Sequence, residues 1–103
     1  MTSVFWTPQA DEDLASIYGY ISYTSERYAE VMIHDLIASV GRLRDFPESG
    51  RIVPELRRPD VREVVWRHYR LVYRHVPVRQ QVEVLTVFRS EREFPIIQEF
   101  PSE

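Results

Sequence analysis

Residues 61–76 are "VREVVWRHYRLVYRHV", which nearly reads as two strands and a tight turn. β-Branched and aromatic side chains alternate with arginines over much of it, as in a half-buried strand. The run divides into "VREVVW" and "YRLVYRHV" around a tight turn, and after the turn-like "PVRQ" a third such run follows, "QVEVLTVF". In the middle strand Tyr69, Leu71 and Tyr73 share one face, while Arg70, Val72 and Arg74 share the other. Val64 and Trp66 are expected to face inward with the tyrosines. Arg62 has their parity and would need a bulge or twist to point outward.

A sheet with an apolar face needs a cover, and the preceding chain supplies one. Thr7 is placed to cap a helix with Pro8 at its first position, where a missing N–H costs nothing. Asp11, Glu12 and Asp13 then complement the positive end of the helix dipole. Ala10, Leu14, Ile17, Tyr18 and Ile21 recur at helical spacing, and the helix should end near "SYTSE". Ser25 can cap a second helix, whose expected stripe is Ala29, Ile33, Leu36, Ile37, Val40 and Leu43. Pro47 and Gly50 in "DFPESGR" stop it. Two amphipathic helices joined by so short a connection should pack antiparallel.

Ahead of the helices, "SVFWT" reads as a first strand. Between the second helix and the paired runs, "RIVPELRRP" is too rich in proline for a ladder and reads as an ordered crossing loop. The expected class is therefore α+β, in the order β-α-α-β-β-β, with an antiparallel sheet and a helical hairpin on one face. Residues 1–93 form one domain in this reading. Residues 94–103 form an acidic, proline-interrupted tail that either packs through Phe94, Ile96, Ile97 and Phe100 or stays mobile.

Charge is unevenly placed. All 13 basic residues are arginine, and the chain has a net charge of −3. Residues 1–50 hold eight carboxylates against three arginines, whereas residues 51–89 hold nine arginines against four carboxylates. The acidic total weighs against generic nucleic-acid binding, since a protein held by phosphates is usually basic overall. The arginines of residues 61–76 have two readings. They either keep an exposed sheet face soluble, with Glu63 and Glu83 as cross-strand partners, or form a basic face for an acidic partner or phosphates. Their clustering favours the second.

Other chemistry is thin. There are no cysteines, which excludes disulfides, thiolate zinc sites and cysteine nucleophiles and is compatible with a reducing cytosol. His68 and His75 fall on opposite faces of a strand, so no metal pair is expected, and no cofactor is implied. His34 has no ligand partner one helical turn away. Three glycines make no phosphate loop. Tyr20, Tyr23 and Tyr28 near the helix connection are edge-of-core residues or a recognition patch, the former being the commoner outcome. No basic, apolar leader or membrane span is read, so a cytoplasmic protein is expected.

"ADEDLASIYGYI", "DFPESGR…PELR", "HYRLVYR" and "VEVLTVFRSERE", in that order, make residues 3 to 93 resemble the ParE/RelE superfamily of toxins from type II toxin–antitoxin systems, closer to ParE. The resemblance implies a toxin of the growth-arrest or plasmid-stabilisation kind, bound in a hetero-oligomeric complex by a cognate ParD-like antitoxin. It implies one of two activities: poisoning of DNA gyrase, as in ParE, or ribosome-dependent, metal-independent cleavage of messenger RNA, as in RelE. Arg70 matches the strand arginine of the nucleases and Arg89 another of their basic positions. The next position, usually arginine, is Ser90, and the nucleases' C-terminal tyrosine has no counterpart near Ile96. The ParE-like inhibitor, with no DNA binding by the toxin alone, is therefore preferred. On this resemblance Arg67, Arg70 and Arg74 are expected to hold the antitoxin, and Phe88, Arg89 and Arg92 to contact the target.

Overall fold

A computed structural model describes residues 1–98. Strand β1 (Ser3–Trp6) leads to helices α1 (Pro8–Ser22) and α2 (Glu26–Ser39), then to β2 (Arg51–Ile52), β3 (Val61–Trp66), β4 (Tyr69–Val76) and β5 (Gln81–Arg89). The sheet order is β1-β5-β4-β3-β2. The α+β class and the helical hairpin on one sheet face are as expected from the sequence. The sheet itself is mixed rather than antiparallel, because β1 pairs parallel to β5, from Ser3 opposite Gln81 to Trp6 opposite Val84. A parallel neighbour needs a crossover, and the two helices provide it.

Local chemistry sets the helix limits. The Thr7 side chain accepts the Ala10 N–H at 3.2 Å, and Ser25 accepts the Tyr28 N–H at 3.1 Å. The buried stripe of α2 is Ala29, Met32 and Leu36, continued by Val40 and by Leu43 in a following 3₁₀ turn, Gly41–Arg44. Ile37, expected in that stripe, is exposed, and Met32 occupies the inward position instead. With Ala10 and Leu14 of α1, Met32, Leu36, Val40 and Leu43 pack on Val64, Tyr69, Leu71, Tyr73, Val82, Val84 and Val87.

"RIVPELRRP" is not wholly a loop. Arg51 and Ile52 pair antiparallel with Glu63 and Arg62 as a two-residue edge strand. Residues 53–60 then fold across the sheet face opposite the helices. Val53 and Leu56 join Val61, Val72, Leu85 and Phe88 there, and Phe94 and Ile97 of the tail complete a second small core. The tail is tied to α1 as well, since the Gln9 side chain donates to the Ile96 carbonyl (3.0 Å) and accepts the Gln98 N–H (2.7 Å). Ile96 is exposed, and Phe100 lies outside the described residues.

One irregularity governs the end of the sheet. The single step from Val72 to Tyr73 on β4 is matched by two steps on β5, from Thr86 to Val84, so Leu85 is the extra residue of a β-bulge. The start of α1 holds it: the Thr7 N–H donates to the Val84 carbonyl (3.0 Å), and the Asp13 carboxylate accepts from the Thr86 hydroxyl (2.6 Å) and the Val87 N–H (2.9 Å). Asp13 thus does more than complement a dipole. The bulge switches parity, so Val87 replaces the even-numbered Val82 and Val84 on the helix side and Phe88 turns to the far side.

"PESGR" has a packing reason. The Tyr73 hydroxyl accepts the Gly50 N–H at 3.0 Å and donates to the Pro47 carbonyl at 2.7 Å. A Cβ on Gly50 would lie 2.6 Å from the Glu63 carbonyl oxygen and 2.7 Å from the Tyr73 ring and hydroxyl, so only glycine fits. Gly50→Ala is expected to cost about 1–3 kcal/mol in urea unfolding, as overpacking and displacement of the Tyr73 hydrogen bonds require. A variant as stable as the parent would contradict this packing.

Candidate functional site

Arg70 lies on the far face with its side chain 9% exposed. Its Nε donates to Glu63 Oε1 at 2.6 Å, while Nη1 and Nη2 grip the Glu55 carboxylate at 2.9 and 2.7 Å. Glu63 is fully buried and also accepts from Arg51, at 2.8 Å through Nε. A buried carboxylate needs such partners, because an unpaired one would carry the whole desolvation cost. The guanidinium carbon lies 5.2 Å from the Phe88 ring centre and 5.5 Å from that of Phe94, and those two rings meet edge to face at 5.4 Å. The Glu55 hydrogen bonds hold the Arg70 proton more firmly than in an ordinary arginine, against the opposing effect of burial. The same bonds pull the Glu55 carboxyl down to about 2.

Arg74 follows four residues on, on the same face and also buried, and donates to Asp60 at 3.3 Å; Arg58 holds the same carboxylate at 2.9 Å. The Arg58 hydrogen bond is the main cause of the lowered Asp60 pKa. The expectation that Arg70 and Arg74 project from an uncovered face is therefore corrected. Loop 53–60 and the tail cover that face, and the carboxylates of the loop and of β3 turn the arginines into internal ties. Arg67 does not join them. It is the first residue of the two-residue turn between β3 and β4, has φ 53°, and lies over Trp66 with its guanidinium carbon 4.9 Å from the ring centre.

The residues at the end of β5 also separate. Phe88 is buried beneath Arg70, so it is a core residue with no surface to offer. Arg89, opposite Tyr69 in the ladder, sits over that ring at 5.7 Å on the helix side, and pairs with Glu91 at 2.5 Å. Glu91 raises the Arg89 pKa and is itself lowered in return. Arg92 is exposed. Arg70 and Arg89, the pair a phosphate-cleaving site would bring together, thus project to opposite faces of the sheet. The residue that lines a shallow depression of about 520 Å³ with Arg70 and Arg51 is Ser90.

The helix side carries a larger cleft, of about 810 Å³, where the α1–α2 connection meets the β3–β4 turn. Tyr20, Tyr23 and Tyr28 line it with Arg67, His68 and Arg89. These tyrosines are not edge-of-core residues: they are 78%, 94% and 51% exposed. A second cleft, of about 510 Å³, shares Tyr20, Tyr69 and Arg89 and adds Arg92.

The sequence profile of the family described as the ParE toxin of the type II toxin–antitoxin system, parDE, matches residues 4–94. The chain belongs to the ParE toxin family.

Solved structures agree at the level of fold. The chain is similar to one from the chromosomal ParDE toxin–antitoxin system of P. aeruginosa, with 24% identity and a TM-score of 0.71 over 86% of this chain and 96% of that one. It is also similar to the isolated RelE toxin of E. coli, with 18% identity and a TM-score of 0.58 over 90% and 88% of the two chains. A chain of the RelBE2 toxin–antitoxin complex of Mycobacterium tuberculosis matches with 19% identity and a TM-score of 0.57 over 85% and 90%. A search of curated protein sequences finds no match. This ParE-family fold thus carries Arg70 on a central strand and uses it internally.

The acid limb of stability should report that use. Glu55 has a carboxyl near 2 in the folded chain against 4.5 ordinarily, so its contribution is fully present above pH 4.5 and is lost as pH falls toward 2. Glu55→Gln is expected to be less stable than the parent at pH 6 and to converge with it by pH 2. Screening of a carboxylate that is 41% exposed keeps the difference near about 1 kcal/mol. Denaturation curves from pH 6 to 2 that run parallel for the two proteins would contradict the Arg70 grip.

Proposed function

We propose that this chain is the toxin of a ParDE-type pair that binds and poisons DNA gyrase in the cytoplasm, is neutralised by a cognate ParD-like antitoxin, and does not cut RNA. The observation that carries the reading is the opposite projection of Arg70 and Arg89. Cleavage of RNA through its 2′-hydroxyl needs a base, an acid for the leaving oxygen and a cation on the phosphorane, all converging on one phosphate. Around Arg70 the reaching groups are carboxylates already engaged with arginines, and the neighbour from the end of β5 is Ser90. A pI near 5.6 also opposes long-range approach to the phosphate surface of a ribosome.

Arg89 and Arg92, on the helix side, are the target contacts in this reading, with Phe88 behind them as support. The antitoxin contact takes a changed form. An acidic antitoxin segment reaches Arg70 and Arg74 by displacing Glu55 and Asp60, whose carboxylates are 41% and 36% exposed, and Arg67 lies outside that contact.

Purified protein added to gyrase and relaxed plasmid is expected to inhibit supercoiling and accumulate cleaved DNA, with reversal by the antitoxin. Messenger RNA on programmed ribosomes should stay intact in primer extension. Cut RNA with undisturbed supercoiling would reverse the assignment.

A further inference from the structure

From the cleft at the hairpin tip we propose, resting on the gyrase reading above, that Tyr20, Tyr23, Tyr28 and Arg67 form the docking surface for an acidic, apolar-anchored segment of the target protein. The tyrosine hydroxyls make no hydrogen bond among the described residues, and the three side chains belong to residues 78%, 94% and 51% exposed, on a chain that buries Tyr69 and Tyr73 almost completely. Contiguous exposed aromatic surface marks an interaction site. Tyrosine with arginine is the composition of energetic anchors at protein interfaces, because a large ring loses little conformational freedom on contact.

The platform is rigid. Tyr23 caps the end of α1, Ser25 caps the start of α2, and the β3–β4 turn is fastened to the end of β5 by the His68 carbonyl, which accepts the Ser90 N–H at 2.7 Å and its hydroxyl at 3.1 Å. Such a surface docks without a large ordering cost.

Charge selects the partner. Among the described residues no carboxylate lines this cleft, although the chain carries 16 acidic residues and a net charge of −3. Arg67 is its exposed cation, while Arg89 is compensated by Glu91. One uncompensated cation among three tyrosines is too little to hold a phosphate backbone on an acidic protein, and suits a protein segment with a carboxylate beside an apolar anchor.

The test is inhibition of gyrase supercoiling by Tyr23→Ala/Arg67→Glu, with Arg79→Ala as control. Arg79 is exposed in the turn at the other end of β4. The double variant is expected to need at least about tenfold more protein for half-inhibition, with an unchanged melting temperature, while Arg79→Ala matches the parent. Because Arg67 holds φ 53°, Tyr20→Ala/Tyr23→Ala carries the same test should the first variant melt early. Variants as potent as the parent would overturn the cleft and leave the gyrase reading standing. A parent protein inert toward gyrase would overturn both. If the parent binds a labelled single-stranded thymidine oligonucleotide and the variants do not, the occupant is nucleic acid and the proposal falls.

Discussion

Arg70 is where the far side of the molecule is held together. One guanidinium joins the buried Glu63 of β3, Glu55 of the crossing loop and the rings of Phe88 and Phe94, so strand, loop and tail share one cation. Arginine suits the position because its planar fork can bind a carboxylate with two nitrogens and still offer a third to another partner, while its flat face lies on aromatic rings. Removing it would leave the buried Glu63 carboxylate with Arg51 as its one remaining cation among the described residues. The loop and the tail also pack Val53, Leu56, Phe94 and Ile97 on that face, and this tie adds an ionic link to the small apolar core they complete.

The bulge at Leu85 is the second determinant. By inserting one residue it sends Phe88 under Arg70 and Arg89 to the helix side, and α1 fixes it through Thr7 and Asp13. The bulge in this way separates Arg70 and Arg89 onto opposite faces of a sheet whose fold is similar to that of RelE toxins. Fold similarity alone does not decide between the two activities; the side on which each arginine emerges bears on it more directly.

The two periods in the sequence were enough to read the architecture. The alternation in "YRLVYRHV" placed Tyr69, Leu71 and Tyr73 inward and Arg70 and Arg74 outward, and the helical stripes and caps placed both helices. What alternation cannot carry is a partner from elsewhere. Glu55 and Glu63 lie 15 and 7 residues from Arg70, and a proline-rich stretch gives no period to announce that it folds over a sheet face. A bulge leaves no mark in a run of valines, so the side taken by Arg89 was illegible. The parallel pairing of β1 was equally hidden, since one short strand reads alike in either direction. Tyr20, Tyr23 and Tyr28 sit at helix ends, where spacing does not distinguish a core edge from an exposed patch.

The central claim is that Arg70 is an internal tie. A double-mutant cycle on stability between Arg70→Met and Glu63→Gln tests it most directly, since it isolates their coupling from the cost of each change. The account predicts a coupling of about 1.5–3 kcal/mol, with either single variant strongly destabilised. Additive effects, with Arg70→Met close to the parent in stability, would mean that the guanidinium is free for another role and would contradict the account.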